Sequence, residues 1–232
     1  MFIKIAGLVI EIKNKYPYSE NLCADYIVPP TEPSFTVEAS DEAVAKALEE
    51  YPEFDNGYLE SLEIYRIICR KILDYNALLM HCAAICVDNE AYLFTAVSGT
   101  GKTTHISLWM KKFGDRAFIV NGDKPILRMK DDKFYVCGTP WQGKEHYGNN
   151  VIVPIKGICI LERDSFNHIE RVEPFAAIPT VLTQTLRTND PAEMEKMLTL
   201  VDKLLARVPF YRLGCTMDPE ACEVSYNAMS KG

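Results

Sequence analysis

The sequence predicts an α/β fold: a β-sheet core with flanking helices and a glycine loop borne on a hairpin, behind a small N-terminal α+β element. Three observations predict it. From about residue 57 onward, short apolar runs of strand length alternate with stretches of helical periodicity. One run, Ala91-Tyr-Leu-Phe-Thr-Ala96, empties into Val97-Ser-Gly-Thr-Gly-Lys-Thr-Thr104, after which Ile106, Trp109, Met110 and Phe113 recur on one helical face. With 232 residues, 48% of them hydrophobic and 25% charged, the chain can bury the core of one large domain or of a domain with an appendage. The division is placed near residue 56, separating 1–56 from 57–232.

In chain order, Phe2 to Ile12 is rich in β-branched and apolar residues and reads as one strand. Lys13 to Pro33 carries Pro17, Pro29, Pro30 and Pro33 and reads as loop or edge structure. Phe35 to Ala39 is a second strand, and Ser40 caps a helix from Asp41 to Tyr51 with acidic residues in its first turn. A helix from Tyr58 to Asp74 follows, with Leu59, Leu62, Tyr65, Ile68, Cys69 and Ile72 on one face. Leu78 to Val87 reads as one continuous strand, and Asp88-Asn89-Glu90 turns it back antiparallel into Ala91 to Ala96. The glycine loop therefore hangs from a hairpin, unlike the parallel βαβ unit of the common nucleotide-binding α/β folds.

Ala117 to Val120 is a strand ending in Asn121-Gly122-Asp123; Ile126 to Met129 and Phe134 to Cys137 form a second hairpin. Gly138 to Asn150 is a loop long enough to be functional, and Val151 to Glu162 is a strand region that Pro154 interrupts. Pro174 to Thr185 and Pro191 to Arg207 are helices, and Phe210 to Leu213 is a last short strand.

The net charge of −7 and a pI near 5.2 leave no basic surplus for a nucleic-acid partner. The 8 cysteines form no C-x-x-C pair and mostly lie inside apolar runs, which suits reduced, buried thiols in the cytoplasm better than disulfides or a zinc site. The first residues lack a secretory layout, and no apolar run reaches the ~18 residues that would span a bilayer, so no membrane partner is expected.

The glycine loop explains its own composition as a Walker A-type phosphate-binding loop. Gly99 and Gly101 let consecutive backbone N–H groups of Ser98 to Thr104 turn inward around an anion. Lys102 places a cation at the β- and γ-phosphates, and the Thr103 hydroxyl can ligate Mg²⁺. A helix starting near Thr103 points its positive dipole end at the same phosphates. The strict motif has glycine where Ala96 stands, and alanine fits there if its φ is negative.

Three further constellations carry chemistry. Asp123 ends an apolar strand soon after the loop helix, where a carboxylate suits the second protein contact of Mg²⁺; its competing reading is an Asn-Gly-Asp turn capped by its own side chains. His81 lies in an otherwise apolar run, either as a hydrogen-bonded core histidine or as a group approaching the γ-phosphate and Asp123. In Thr139-Pro-Trp-Gln-Gly-Lys-Glu145, Lys144 could neutralise charge on a transferred phosphoryl group and Glu145 could ligate metal or orient substrate. Arg163 and Arg187 are further candidates for an anionic substrate.

His81-Cys-Ala-Ala-Ile-Cys-Val87, the turn, and Val97-Ser-Gly-Thr-Gly-Lys-Thr-Thr104 resemble the core of the HPr serine kinase family. Ser98 to Thr104 also resembles the kinase loop of ATP-dependent phosphoenolpyruvate carboxykinases (PEPCKs). The resemblance covers roughly residues 76 to 165 and implies a PEPCK-like mixed-sheet core, ATP, Mg²⁺ and phosphoryl transfer to a hydroxyl. It also implies that His81 is the partner of a catalytic Asp123.

Those kinases usually carry two adjacent acidic residues where this chain has Gly122-Asp123, so one carboxylate serves as metal ligand, as base or as both, or His81 or Glu145 shares the work. The resemblance thus predicts an ATP-dependent kinase with a protein, peptide or metabolite acceptor; a homo-oligomer is a further possible partnership that the sequence leaves open. A carboxykinase-like enzyme and a nucleotide-binding sensor without turnover are the alternatives.

Overall fold

The computed structural model describes residues 1–231. Strands β1 (Phe2–Ile5) and β2 (Leu8–Ile12) form a hairpin, and β3 (Phe35–Val37) adds parallel to β2. The single strand expected over Phe2 to Ile12 is thus two. Ala6 and Gly7 both take positive φ, +52° and +76°, as a two-residue hairpin turn of the mirror-image type requires. Ala6 carries none of the usual Asn/Asp signature, so the turn leaves little mark on the sequence.

Helix α1 (Tyr18–Leu22) is short, and α2 (Asp41–Glu50) is capped by the Ser40 hydroxyl, as the sequence suggests. Helix α3 (Asn56–Lys71) is capped by Asp55 and buries Leu59, Tyr65, Ile68 and Cys69. That face packs on Ile3, Ile10 and Ile12 of the small sheet, and the same apolar cluster continues into Ile126, Cys137 and Trp141 of the larger body.

The larger body is built on a curled, mixed nine-stranded sheet. Its strands are β4 (Ala77–Leu79), β5 (Ala83–Val87), β6 (Glu90–Thr95), β7 (Ala117–Asn121), β8 (Ile126–Lys130), β9 (Lys133–Cys137), β10 (Ile152–Arg163), β11 (His168–Val172) and β12 (Phe210–Cys215). One path runs β4-β8-β9-β10-β6-β5-β7, while β12 pairs with β10 and β11. The β10/β6 and β10/β12 ladders are parallel and the others are antiparallel.

Pro154 does not interrupt β10; it marks where the strand changes partners. Ile152 to Pro154 pair with β9, and from Ile155 onward the strand pairs with β6 and then β12. Proline has no N–H to give a ladder, so it is tolerated at this hand-over.

Helices cover both faces. On one lie α4 (Lys102–Phe113) and α7 (Glu220–Met229), on the other α5 (Pro174–Gln184) and α6 (Pro191–Arg207). Strand β6 shows the period of two that this demands: Tyr92 and Phe94 pack with Trp109 of α4, while Ala91 and Leu93 pack with Leu200 and Leu204 of α6. No helix among the described residues is long and apolar enough to cross a membrane. All eight cysteines are free thiols, and all but Cys215 are buried.

Candidate active site

The run expected to form one strand from Leu78 to Val87 breaks at Met80-His81-Cys82. There the chain leaves the β8 ladder and joins β6 and β7. Its three N–H groups go elsewhere: Met80 donates to the Pro125 carbonyl (3.4 Å), His81 to that of Gln184 (2.7 Å) and Cys82 to that of Asp123 (3.1 Å). Met80 and Cys82 are fully buried under α5 and α6. His81 has the parity of Ala83 and Ile85, which lie under α4. Its imidazole Nε2 is 2.8 Å from Oδ1 of Asp123.

Asp123 is presented by its own turn. The Asn121 side-chain oxygen accepts from the N–H groups of Asp123 (2.8 Å) and Lys124 (2.7 Å), and the Asn121 amide donates to Thr139. The capping role offered for this turn therefore falls to Asn121, and the Asp123 carboxylate is left for other partners. Lys124 Nζ, which the sequence reading did not single out, lies 2.7 Å from Oδ2. Burial acts to raise the Asp123 pKa, but the hydrogen bonds and charges of His81 and Lys124 overturn it and hold the carboxyl well below its usual range. The Lys124 carbonyl accepts from the Tyr65 hydroxyl (2.6 Å) and the Thr139 hydroxyl (2.8 Å). Tyr65 stacks on Trp141 at 4.0 Å, so α3 braces this turn from behind.

The glycine loop lies at the N-terminus of α4. Ala96 is buried and does not take a positive φ, so alanine is accommodated there. Thr100 closes a turn on Val97, its N–H at 3.2 Å and its hydroxyl at 2.8 Å from the Val97 carbonyl. Gly99 (φ +80°) and Gly101 (φ +123°) sit where L side chains are strained, and a Cβ on either would meet nothing within 4 Å. Conformation, not crowding, demands glycine there.

Lys102 opens α4 and folds its ammonium back onto the Ala96 carbonyl at 3.2 Å. Desolvation lowers its pKa and the nearby Asp123 charge partly restores it, so Lys102 and Asp123 share one electrostatic environment. Ser98 and Thr104 are exposed, and the part-exposed Thr103 hydroxyl makes no hydrogen bond to a described residue.

Arg163 and the pair Lys144–Glu145 do not join the cluster as free groups. The Arg163 guanidinium donates to the carbonyls of Gly99 and Thr100, so it braces the glycine loop. Lys144 and Glu145 are exposed and form no ion pair among the described residues. Their neighbour Gly143 is what meets Asp123. At φ +81°, a Cβ there would stand 3.0 Å from the Asp123 Cβ. The Gly122 N–H donates to the Tyr147 carbonyl at 2.8 Å, tying the same loop to the Asp123 turn. Spacing could not reveal Gly143, because its importance lies in how closely its backbone approaches a residue from another segment. Arg187 is exposed just beyond α5.

His105, also missed, lies one turn into α4 and is buried. Trp109 Nε1 donates to its Nε2 at 3.1 Å and to the Ser225 hydroxyl of α7 at 3.2 Å. Burial pushes the His105 pKa down to about 4.

No group of three His, Cys, Asp or Glu among the described residues could hold a metal alone. The Asp123 carboxylate and the Thr103 hydroxyl are both hard oxygen donors, the kind Mg²⁺ takes together with phosphate oxygens and water. By the chemistry of these two donors, Thr103 and Asp123 would suit Mg²⁺ carried in with phosphate oxygens.

No protein-family model matches the chain, and no curated protein matches it. Among solved structures, the chain overlaps distantly with the Hpr(Ser) kinase/phosphatase from Coxiella burnetii, at 12% identity and a TM-score of 0.36, over 66% of this chain and 91% of that one.

Proposed function

We propose that the chain is an ATP- and Mg²⁺-dependent phosphotransferase of the HPr-kinase/PEPCK-like class, moving a γ-phosphoryl group to a hydroxyl, a serine by preference. One observation carries this reading: a glycine loop with Lys102 at the start of α4 shares its electrostatic environment with a carboxylate that His81 holds at 2.8 Å. The N–H groups from Ser98 to Thr104 and the Lys102 ammonium hold the β- and γ-phosphates, and Lys102 leaves the Ala96 carbonyl to do so. Thr103 and Asp123 hold Mg²⁺, which, when bound, neutralises charge developing on the phosphoryl oxygens. The acceptor hydroxyl gives its proton to the Asp123–His81 pair. Lys144, in the loop that covers Asp123, supplies a second cation to the acceptor side, and Glu145 orients the acceptor.

The cytoplasm is the compartment proposed, because free thiols persist there. Residues 1–56 act as a brace for α3, and through it for the Asp123 turn, with 57–232 as the catalytic core.

A second reading is a nucleotide-binding sensor without turnover. It draws on Lys124, which occupies Oδ2 of Asp123 where a free oxygen would suit metal, and on Gly122, which provides no second carboxylate. Incubation with γ-labelled ATP, Mg²⁺ and serine-bearing peptides or carrier proteins separates the two. Transfer that disappears in Asp123→Asn supports the kinase; tight ATP binding with no transfer to any acceptor and no ATP hydrolysis selects the sensor.

A further inference from the structure

Strands β6, β10 and β12 are adjacent and parallel, so the loops that follow them rise from one edge of the sheet. Ligands of open α/β sheets bind outside the carboxyl ends of the strands, and the glycine loop already occupies the first of these three positions. Beside it the rim is apolar. Val97 is 76% exposed, Phe166 61% and Met217 76%, one from each successive loop.

The rim is built as a unit with the glycine loop. Strand β10 runs three residues past its last pair with β6, and this overhang lets Arg163 reach the Gly99 and Thr100 carbonyls. The chain then crosses the end of β12 to reach β11, and the Asn167 side-chain oxygen ties the crossing down by accepting the Thr216 N–H at 2.9 Å. Phe166 rides on this crossing, stacked on His168 with ring centroids 4.7 Å apart and planes at 29°. One face of an aromatic pair is thereby held open to solvent. Two inter-strand spacings, ~10 Å in all, separate the β6 and β12 ends, the reach from a phosphate cradle to a base.

The charges on this rim point the same way. Asp164, Asp218 and Glu220 surround the crossing, and the Arg163 guanidinium is engaged by backbone carbonyls. An acidic, apolar rim rejects phosphate and favours a flat, uncharged group, while Lys102 favours the anion.

We propose that Phe166, supported by His168, with Val97 and Met217 exposed on the two neighbouring loops, is the platform on which the base of a nucleotide stacks when its phosphates sit in the glycine loop. This rests on the reading of that loop as a phosphate site. Aromatic–base stacking gives affinity for the nucleoside part beyond the phosphates, with little preference among bases, because every base has a π-face.

The test compares Mg²⁺-ATP with inorganic tripolyphosphate by calorimetric titration of wild type, Phe166→Ala and Phe166→Trp. Phe166 is mostly exposed, so both variants retain the fold. Wild type binds ATP more tightly than tripolyphosphate; Phe166→Ala loses roughly tenfold in ATP affinity and nothing in tripolyphosphate affinity, and Phe166→Trp retains ATP. Trp109 and Trp141 are buried, so the introduced indole also reports directly: ATP quenches its fluorescence and tripolyphosphate does not. Equal wild-type affinities for the two ligands, with no effect of Phe166→Ala, overturn the platform and leave the loop assignment standing. Failure of wild type to bind either ligand overturns the loop assignment and the platform with it. A wild-type dimer that Phe166→Ala disperses, with ATP affinity unchanged, assigns the patch to self-association and also overturns the proposal.

Discussion

His81 Nε2 and Asp123 Oδ1 are 2.8 Å apart, although 42 residues separate them in the chain. The pairing comes from two interruptions in regular structure. Between β4 and β5 the backbone turns its N–H groups to Pro125, Gln184 and Asp123, and after β7 the Asn121 amide takes over the capping of the next turn. An ionised carboxylate only accepts, so it orients the imidazole as well as placing it, with Nε2–H donating to Oδ1.

Replacement of His81 by glutamine keeps a hydrogen-bonding side chain in reach of Asp123. Phosphoryl transfer is expected to fall by ~10²–10⁴, the usual worth of positioned acid–base help, with ATP affinity and melting temperature close to wild type. Activity per folded molecule and thermal melting, measured together, decide it. A variant that melts early yet transfers normally assigns His81 a purely structural role.

Lys102→Ala removes the cation that opens α4. The side chain makes one hydrogen bond, to the Ala96 carbonyl, and is desolvated at some cost, so the apo melting temperature should barely change. The shift that ATP adds to that temperature should vanish, since stabilisation by a ligand follows its affinity for the folded state. A full ATP shift in the variant places the phosphates elsewhere.

The glycine loop was legible because its chemistry is local: strand, turn, two glycines, Lys102 and the helix are contiguous. Asp123 and His81 were legible as residue types on apolar runs, while their contact was not, because the break at His81 lies inside Leu78 to Val87 with no glycine or proline to announce it. Lys124 and Gly143 escaped for a related reason. A lysine in a turn reads as surface charge, and a glycine reads as flexibility; only the tertiary approach to Asp123 distinguishes them. Strand β11 was missed because Ile169 and Val172 are its only apolar residues, and helix α7 because mostly small side chains carry its buried face. Strand β11 has no fully buried residue and α7 buries Ala221, Cys222, Ser225 and Met229, too sparse a pattern to show a period.

Acid should weaken the fold in two stages. His105 is buried with its pKa lowered from 6.5 to about 4, so above pH ~6.5 it is neutral whether folded or unfolded. Below that, the unfolded chain binds the proton first, and stability falls as the pH drops towards 4, by on the order of 3 kcal/mol in all. Asp123 adds a second, more acidic loss. Its folded pKa is depressed, so its contribution is complete above the ordinary carboxylate range and disappears as the pH falls through the folded value. Urea midpoints between pH 7.5 and 4 should decline in wild type, and in His105→Gln the part of the decline between pH 6.5 and 4 should flatten. Parallel declines in the two proteins remove His105 from the account.

Gly143→Ala tests whether the loop over Asp123 belongs to the site. At φ +81° an alanine is strained by about 1–2 kcal/mol, and its methyl would stand 3.0 Å from the Asp123 Cβ, tighter than most such contacts, so one side must give. Either the loop lifts or the carboxylate turns. Lifting moves Gln142 and Tyr147, whose carbonyls lie beside Gly122, and with them Lys144 and Glu145. Turning breaks the contacts to His81 and Lys124. Both outcomes spare the glycine loop, which is held by its own turn on Val97 and by Arg163. The variant should therefore bind ATP as wild type does without metal, lose a small part of its stability, and transfer phosphoryl groups at least tenfold more slowly, in line with the steep cost of misplacing a catalytic group. Calorimetry without Mg²⁺ alongside a transfer assay gives the comparison. Unchanged transfer would mean that the Gly143 loop merely covers the carboxylate and that Lys144 and Glu145 take no part in the chemistry.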